Sequence, residues 1–131
     1  MANRHYPIGR KHFADKDIDW LIDNFKVYAI EAGYVFDEAH EFVTSLGVHI
    51  VARSANLTGK TSTGGILKCD AASFLLLTGA RVLYLVIAQD TGADATSPLL
   101  YYIDTATNLP FTPNGIDTTV QFDPTTGAMQ V

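Results

Sequence analysis

Cysteine is almost missing from this chain: Cys69 is the only one, so no intrachain disulfide can form and the fold does not depend on an oxidising compartment. With no His or Asn pattern around it to support a nucleophile, Cys69 reads as a small buried hydrophobe beside Leu67. Charge is also scarce, at 18% of residues against 47% hydrophobic. That balance favours a folded chain over a disordered one and hints that partners cover part of the surface. Basic residues number nine against fourteen acidic ones, for a net charge of −5. The basic residues are scattered, and the closest cluster, Arg10-Lys11-His12, is followed by Asp15, Asp17 and Asp19. Nucleic-acid binding needs clustered Lys and Arg to neutralise phosphates, so it is argued against. No apolar run approaches the roughly 18 residues of a membrane-spanning helix, and Met1-Ala2-Asn3-Arg4-His5 lacks the apolar region of a signal peptide.

What the chain does have is one long apolar stretch, residues 82–88, closed by Asp90-Thr91-Gly92 and followed by a second at residues 98–104. An unbroken run rich in β-branched and aromatic side chains suits a strand covered on both faces. Together the two runs predict a hairpin at the centre of a sheet. At 131 residues the chain is one domain by length and large enough to bury its own core.

Residues 1–23 read as an N-terminal arm or short helix preceding one domain, residues 24–131. Phe13, Ile18, Trp20, Leu21 and Ile22 would pin this arm to the body or to a neighbour; for the amphipathic Trp20 between aspartates, core packing is the favoured role and a partly exposed contact the alternative. Residues 25–30 form the first expected strand, with Phe25, Val27 and Ala29 on one face and Lys26, Tyr28 and Ile30 on the other. Asp37 is placed to cap a helix over 38–45 that stops at Gly47. Further strands are expected over 48–55, 66–70, 72–77 and 116–123. In the last, Ile116, Thr118, Val120 and Phe122 face inward, and the turn 124–127 leads back into 128–131. The polar, Gly-rich residues 56–65 predict a hairpin or exposed loop. About seven or eight strands at roughly ten-residue intervals indicate a mainly β fold, an antiparallel β-sandwich of jelly-roll or immunoglobulin-like type, with one or two short helices.

Three apparent motifs lack their context. Gly59-Lys60-Thr61 is preceded five positions earlier by Ser54 where a phosphate loop needs glycine, and Ser62-Thr63-Gly64-Gly65 cannot open a helix. Asp90-Thr91-Gly92-Ala93-Asp94 resembles the stretch of retroviral aspartic proteases, where paired carboxylates share a proton. Gln89 stands where an apolar residue is expected, and the flap and second apolar-glycine segment are missing, so a hairpin turn fits better. His5, His12, His40 and His49 have no metal-ligand spacing with one another or with Cys69. Asp90, Asp94, Asp104, Asp117 and Asp123 fall near strand ends, as turn aspartates do and as calcium ligands could if they converged. No metal or cofactor is expected, and nothing in the sequence demands an enzyme.

The order of pieces nevertheless resembles a family of small tailed-bacteriophage virion structural proteins. The likeness lies in Trp20 and Asp23, then Phe25-Lys26-Val27, Tyr34-Val35-Phe36 before His40 and Phe42, and Leu57-Thr58-Gly59-Lys60-Thr61 with Asp70-Ala71. Its most specific part is Asp90-Thr91-Gly92, Ser97-Pro98-Leu99, Tyr102-Ile103-Asp104, Leu109-Pro110 and Thr112-Pro113-Asn114-Gly115. Ile116, where a glycine is usual, and a less apolar ending depart from the family. The resemblance implies a non-enzymatic capsid decoration or cement protein on the outside of the head, made in the host cytoplasm. The major capsid protein would be its partner, and self-association, as a trimer for example, would follow the shell's symmetry. A neck or tail accessory role, or a glycan- or receptor-binding sandwich using Tyr101 and Tyr102, are the alternatives. Since the family supplies no contact residues, the candidates come from residue chemistry: Tyr6, Phe13 and Trp20 from the arm, Leu57 and Lys60 from the loop 57–65.

Overall fold

The computed structural model describes residues 4–74, 78–103, 111–120, 122 and 129–130. The architecture is mainly β, built from antiparallel strands with, among the described residues, one α-helix and two short 3₁₀ segments. The strands are β1 (Arg4–His5), β2 (Phe25–Ile30), β3 (Ile50–Arg53), β4 (Thr61–Thr63), β5 (Ile66–Lys68), β6 (Ala72–Phe74), β7 (Tyr84–Gln89), β8 (Leu99–Ile103), β9 (Thr118–Val120) and β10 (Met129–Gln130). The helix α1 spans Pro7–Ala14, and the 3₁₀ segments are Val43–His49 and Asp94–Thr96.

Five strands form the main sheet, in the order β1-β8-β7-β2-β3. The long apolar run therefore supplies the middle strand, β7, hydrogen-bonded to β2 along its full length and to β8 on its other side. Its side chains alternate between two cores. Leu85 and Ile87 join Phe25, Val27 and Ala29 on one face, while Val86 and Ala88 join Tyr28 and Ile30 on the other. An unbroken hydrophobic run is what a strand buried on both faces requires. On β8 the register slips by one residue opposite Ile87 and Ala88. This bulge turns Leu100 and Tyr101 toward the same core while Leu99 and Tyr102 meet the other, a re-aiming that an extra residue produces.

The first core is closed by two small sheets, β10-β5-β4 and β6-β9, which contribute Leu67, Ala72, Phe74 and Val120. β4 and β5 are joined through Gly64-Gly65, both at positive φ (59° and 81°). That is the backbone a two-residue hairpin needs and that glycine adopts without a Cβ clash. The second core lies under Tyr6, Tyr34, Val43 and Leu46. The N-terminal segment clasps the β8 edge. β1 pairs with β8, Tyr6 enters the second core, and Ile18 and Trp20, with Phe13 against them, enter the first.

Some expectations are corrected. Residues 38–45 do not form an α-helix: 38–42 are not helical, and 43–45 open a 3₁₀ segment. After an Asx turn at Asp37, whose Oδ1 accepts the Ala39 N–H at 2.8 Å, the backbone at 41–43 bonds to residues 97–99 instead. Leu99 N–H donates to Glu41 O and Val43 N–H to Ser97 O. The 3₁₀ segment follows, kinked at Gly47 with φ 57°. Ile116 is 61% exposed rather than inward. Among the described residues, β9 pairs with β6 and β10 with β5. Residues 75–77, Asp104, residues 108–110, Gln121, Asp123 and the turn 124–127 lie outside the described residues. Among the described residues no helix is long and apolar enough to cross a membrane.

Candidate partner-contact surface

Of the five contact residues expected from sequence, four meet on one side of the main sheet. Trp20 is 4% exposed; its ring lies 4.8 Å from that of Phe25, and its Nε1–H donates to Thr61 O at 3.0 Å. Leu57 is buried in the same core, with its N–H donating to Phe25 O. Lys60 lays its ammonium 4.9 Å from the Phe25 ring centroid and 6.0 Å from that of Trp20, and donates to the backbone carbonyl of Asp23. Phe13 is half-buried against this cluster. Tyr6 sits on the opposite face, fully buried. The arm and the loop 57–65 are therefore brought together, but their aromatic and aliphatic residues face each other rather than solvent.

The exposed part of this corner is the turn that follows. Leu21 is 57% and Ile22 78% exposed. The turn is closed from both ends: Asp19 N–H donates to Asp23 Oδ2 at 2.8 Å, Leu21 N–H to Asp19 Oδ1 at 3.0 Å, and Asp23 N–H to Asp19 O at 2.9 Å. Gln89 Nε2 anchors the Asp23 carboxylate at 3.0 Å from the main sheet. A tight turn that buries Trp20 cannot also bury the two residues after it. The sequence Asp19-Trp20-Leu21-Ile22-Asp23 carried that signal, since an aspartate two residues before Leu21 is placed for an Asx turn. Val35, Val48 and Ile116 are the other large apolar side chains left exposed among the described residues.

Elsewhere several polar groups are held in internal pairs. Asp90 is 3.3 Å from Lys26 Nζ, and its Oδ1 accepts the Gly92 N–H at 3.1 Å, with Gly92 at φ 95°: a hairpin turn. Arg53 donates both terminal nitrogens to Asp94 at 2.6 Å, which holds the Asp94 carboxyl below its usual range. This pair rims an open cleft of about 500 Å³ whose walls include Val43, Ile50 and Val51. His12 is bracketed by Asp17 and Glu41, each at 3.0 Å. Burial first, then Asp70, pushes the Cys69 thiol up to about 12, so the nucleophilic thiolate is disfavoured. Tyr102 is buried and Tyr101 half-buried against His5, so Tyr102 offers no open platform to a sugar. Among the described residues no three His, Cys, Asp or Glu side chains converge as a metal site.

No protein-family model matches the sequence, and no curated protein matches it significantly.

Proposed function

We propose that this chain is a non-enzymatic structural protein of a bacteriophage virion, decorating the outside of the capsid and stabilising it. It would do so as a β-sandwich of jelly-roll or immunoglobulin-like type whose loops meet the major capsid protein. One observation carries the reading beyond the resemblance in sequence. The sheet's apolar residues are committed to two internal cores, while Leu21, Ile22, Val35, Val48 and Ile116 stand exposed on segments between strands. A stiff frame with apolar connections suits docking by surface fit. A shell repeats one contact many times, so modest area per copy suffices, and trimers on its symmetry axes would add avidity. The Asp90 carboxylate, tied to Lys26 and its own turn, favours the structural reading over a protease.

The test is the copy number and position of the chain in purified particles, by quantitative mass spectrometry and electron microscopy. Copies in the hundreds over the head support decoration. About a dozen or fewer at one vertex replace it with a neck or tail role, and absence from particles rejects a virion role altogether.

A further inference from the structure

We infer that the turn from Asp19 to Asp23 is a preformed docking knuckle, whose Leu21 and Ile22 side chains enter an apolar recess rimmed by lysine or arginine on a neighbouring protein. The inference rests on the decoration reading for where that neighbour is found, but its chemistry comes from the turn itself.

Three features converge. First, two consecutive large aliphatic side chains stand in solvent at 57% and 78% exposure. Single exposed apolar residues are ordinary, whereas two in succession on one turn concentrate apolar surface there. Second, the patch is rigid. Five backbone and side-chain hydrogen bonds close the turn on itself and onto Gln89. Lys60 grips the Asp23 carbonyl from below, and Trp20 anchors the turn in the core. A flexible loop loses conformational entropy when it binds; here that ordering already exists in the free chain. Third, among the described residues the flanking carboxylates lack an ion-pair partner, the nearby Lys60 ammonium being bonded to the Asp23 backbone carbonyl. The Asp19 and Asp23 carboxylates accept only N–H groups, and among the described residues neither forms an ion pair.

Drying Leu21 and Ile22 against a partner would also strip water from these two carboxylates. That is costly unless cations replace it. The complementary surface is therefore an apolar pocket with a basic rim. A second copy of this chain is a poor match, because acidic residues outnumber basic ones and the net charge is −5.

The experiment uses the full chain, intact and with Leu21→Ser plus Ile22→Ser, co-sedimented with capsid shells lacking it. Both substitutions are at exposed positions, so melting should shift by no more than about 2 °C. Should the double variant melt early, the single Ile22→Ser reads the same property. Shell affinity should fall by about tenfold or more, and the intact chain should bind more weakly as salt rises from about 50 to 300 mM. Equal binding of both chains overturns the knuckle and leaves decoration standing. Salt-insensitive binding overturns the basic rim. Shells that ignore the intact chain overturn decoration and the knuckle with it. Self-association lost on substitution, seen by sedimentation velocity, overturns the assignment to a different protein.

Discussion

The phenol oxygens of Tyr6 and Tyr34 are hydrogen-bonded at 2.6 Å across the second core, and the Tyr34 hydroxyl is also 2.8 Å from Nδ1 of His40. Tyr6 comes from the N-terminal clasp and Tyr34 from the segment after β2, so the pair ties two covering segments together over the sheet. Tyr34 is the middle member of the chain of bonds. Replacing Tyr6 by Phe removes one bond but leaves Tyr34 with His40, at a cost of about 1 kcal/mol. Replacing Tyr34 by Phe strands the fully buried Tyr6 hydroxyl, at a cost of about 1–3 kcal/mol. Denaturant unfolding should rank Tyr34→Phe as the more damaging change, with the double variant losing less than the sum. Equal effects, or strict additivity, would show that the relay is not a unit.

High pH should unfold the protein through its tyrosines. Burial pushes the Tyr28 phenol up to about 12, with Arg53 opposing, and raises Tyr34 and, further still, Tyr6. A folded-state value above the unfolded one, near 10, favours the neutral phenol in the fold. The associated stability is complete below about pH 10 and drains away as pH rises through the folded values, chiefly between about 10 and 12. Absorbance at 295 nm should show some of the six tyrosines ionising only together with the loss of far-ultraviolet circular dichroism. Six phenols titrating smoothly with the sheet intact would contradict this.

How far the sequence revealed this fold depends on how local the deciding interaction is. The central strand was legible because burial on both faces leaves an unbroken apolar run, and β2 because its two faces meet different cores. Turn chemistry at Gly64-Gly65 and at Asp90 was equally readable. The helix expected at 38–45 failed because residues 41–43 bond to a segment more than fifty positions away, which no capping signal records. The turn expected at 124–127 lies outside the described residues, and the pairing of β9 with β6 and of β10 with β5 joins segments far apart in the sequence. The contact residues illustrate the same limit. An amphipathic Trp20 reads as a core residue first and as a surface contact second. Its direction was settled by Thr61, 41 positions along the chain, whose carbonyl receives the indole N–H.

Gly9 should resist enlargement despite lying in a helix. α1 rests backbone to backbone on β8, and a Cβ at Gly9 would fall 2.1 Å from Leu99 O and 3.1 Å from the Leu100 Cα. Helix propensity alone would reward Gly9→Ala by about 1 kcal/mol. The clash is with backbone, which cannot swing aside, so overpacking should win with a net loss of about 1–3 kcal/mol. A lower melting temperature is expected, with earlier proteolysis near the N-terminus. A higher one would mean that α1 can ride away from the sheet freely.

Removing residues 1–20 should unfold the chain rather than free a β domain of its arm. The deletion takes away Tyr6, Ile18 and Trp20, which are 0%, 6% and 4% exposed, and strips β1 from the edge of β8. Trp20→Ala alone should cost about 3–5 kcal/mol, as large-to-small changes in a core do, and it leaves the Thr61 carbonyl without its indole donor. Against a total stability of about 5–15 kcal/mol, losing all three side chains and an edge strand leaves little margin. The truncated chain is expected to show no cooperative thermal transition, whereas Ile22→Ser in the full chain keeps one. A truncated chain that still melts cooperatively would mean that the two cores close without the clasp, making the N-terminal segment a separable arm after all.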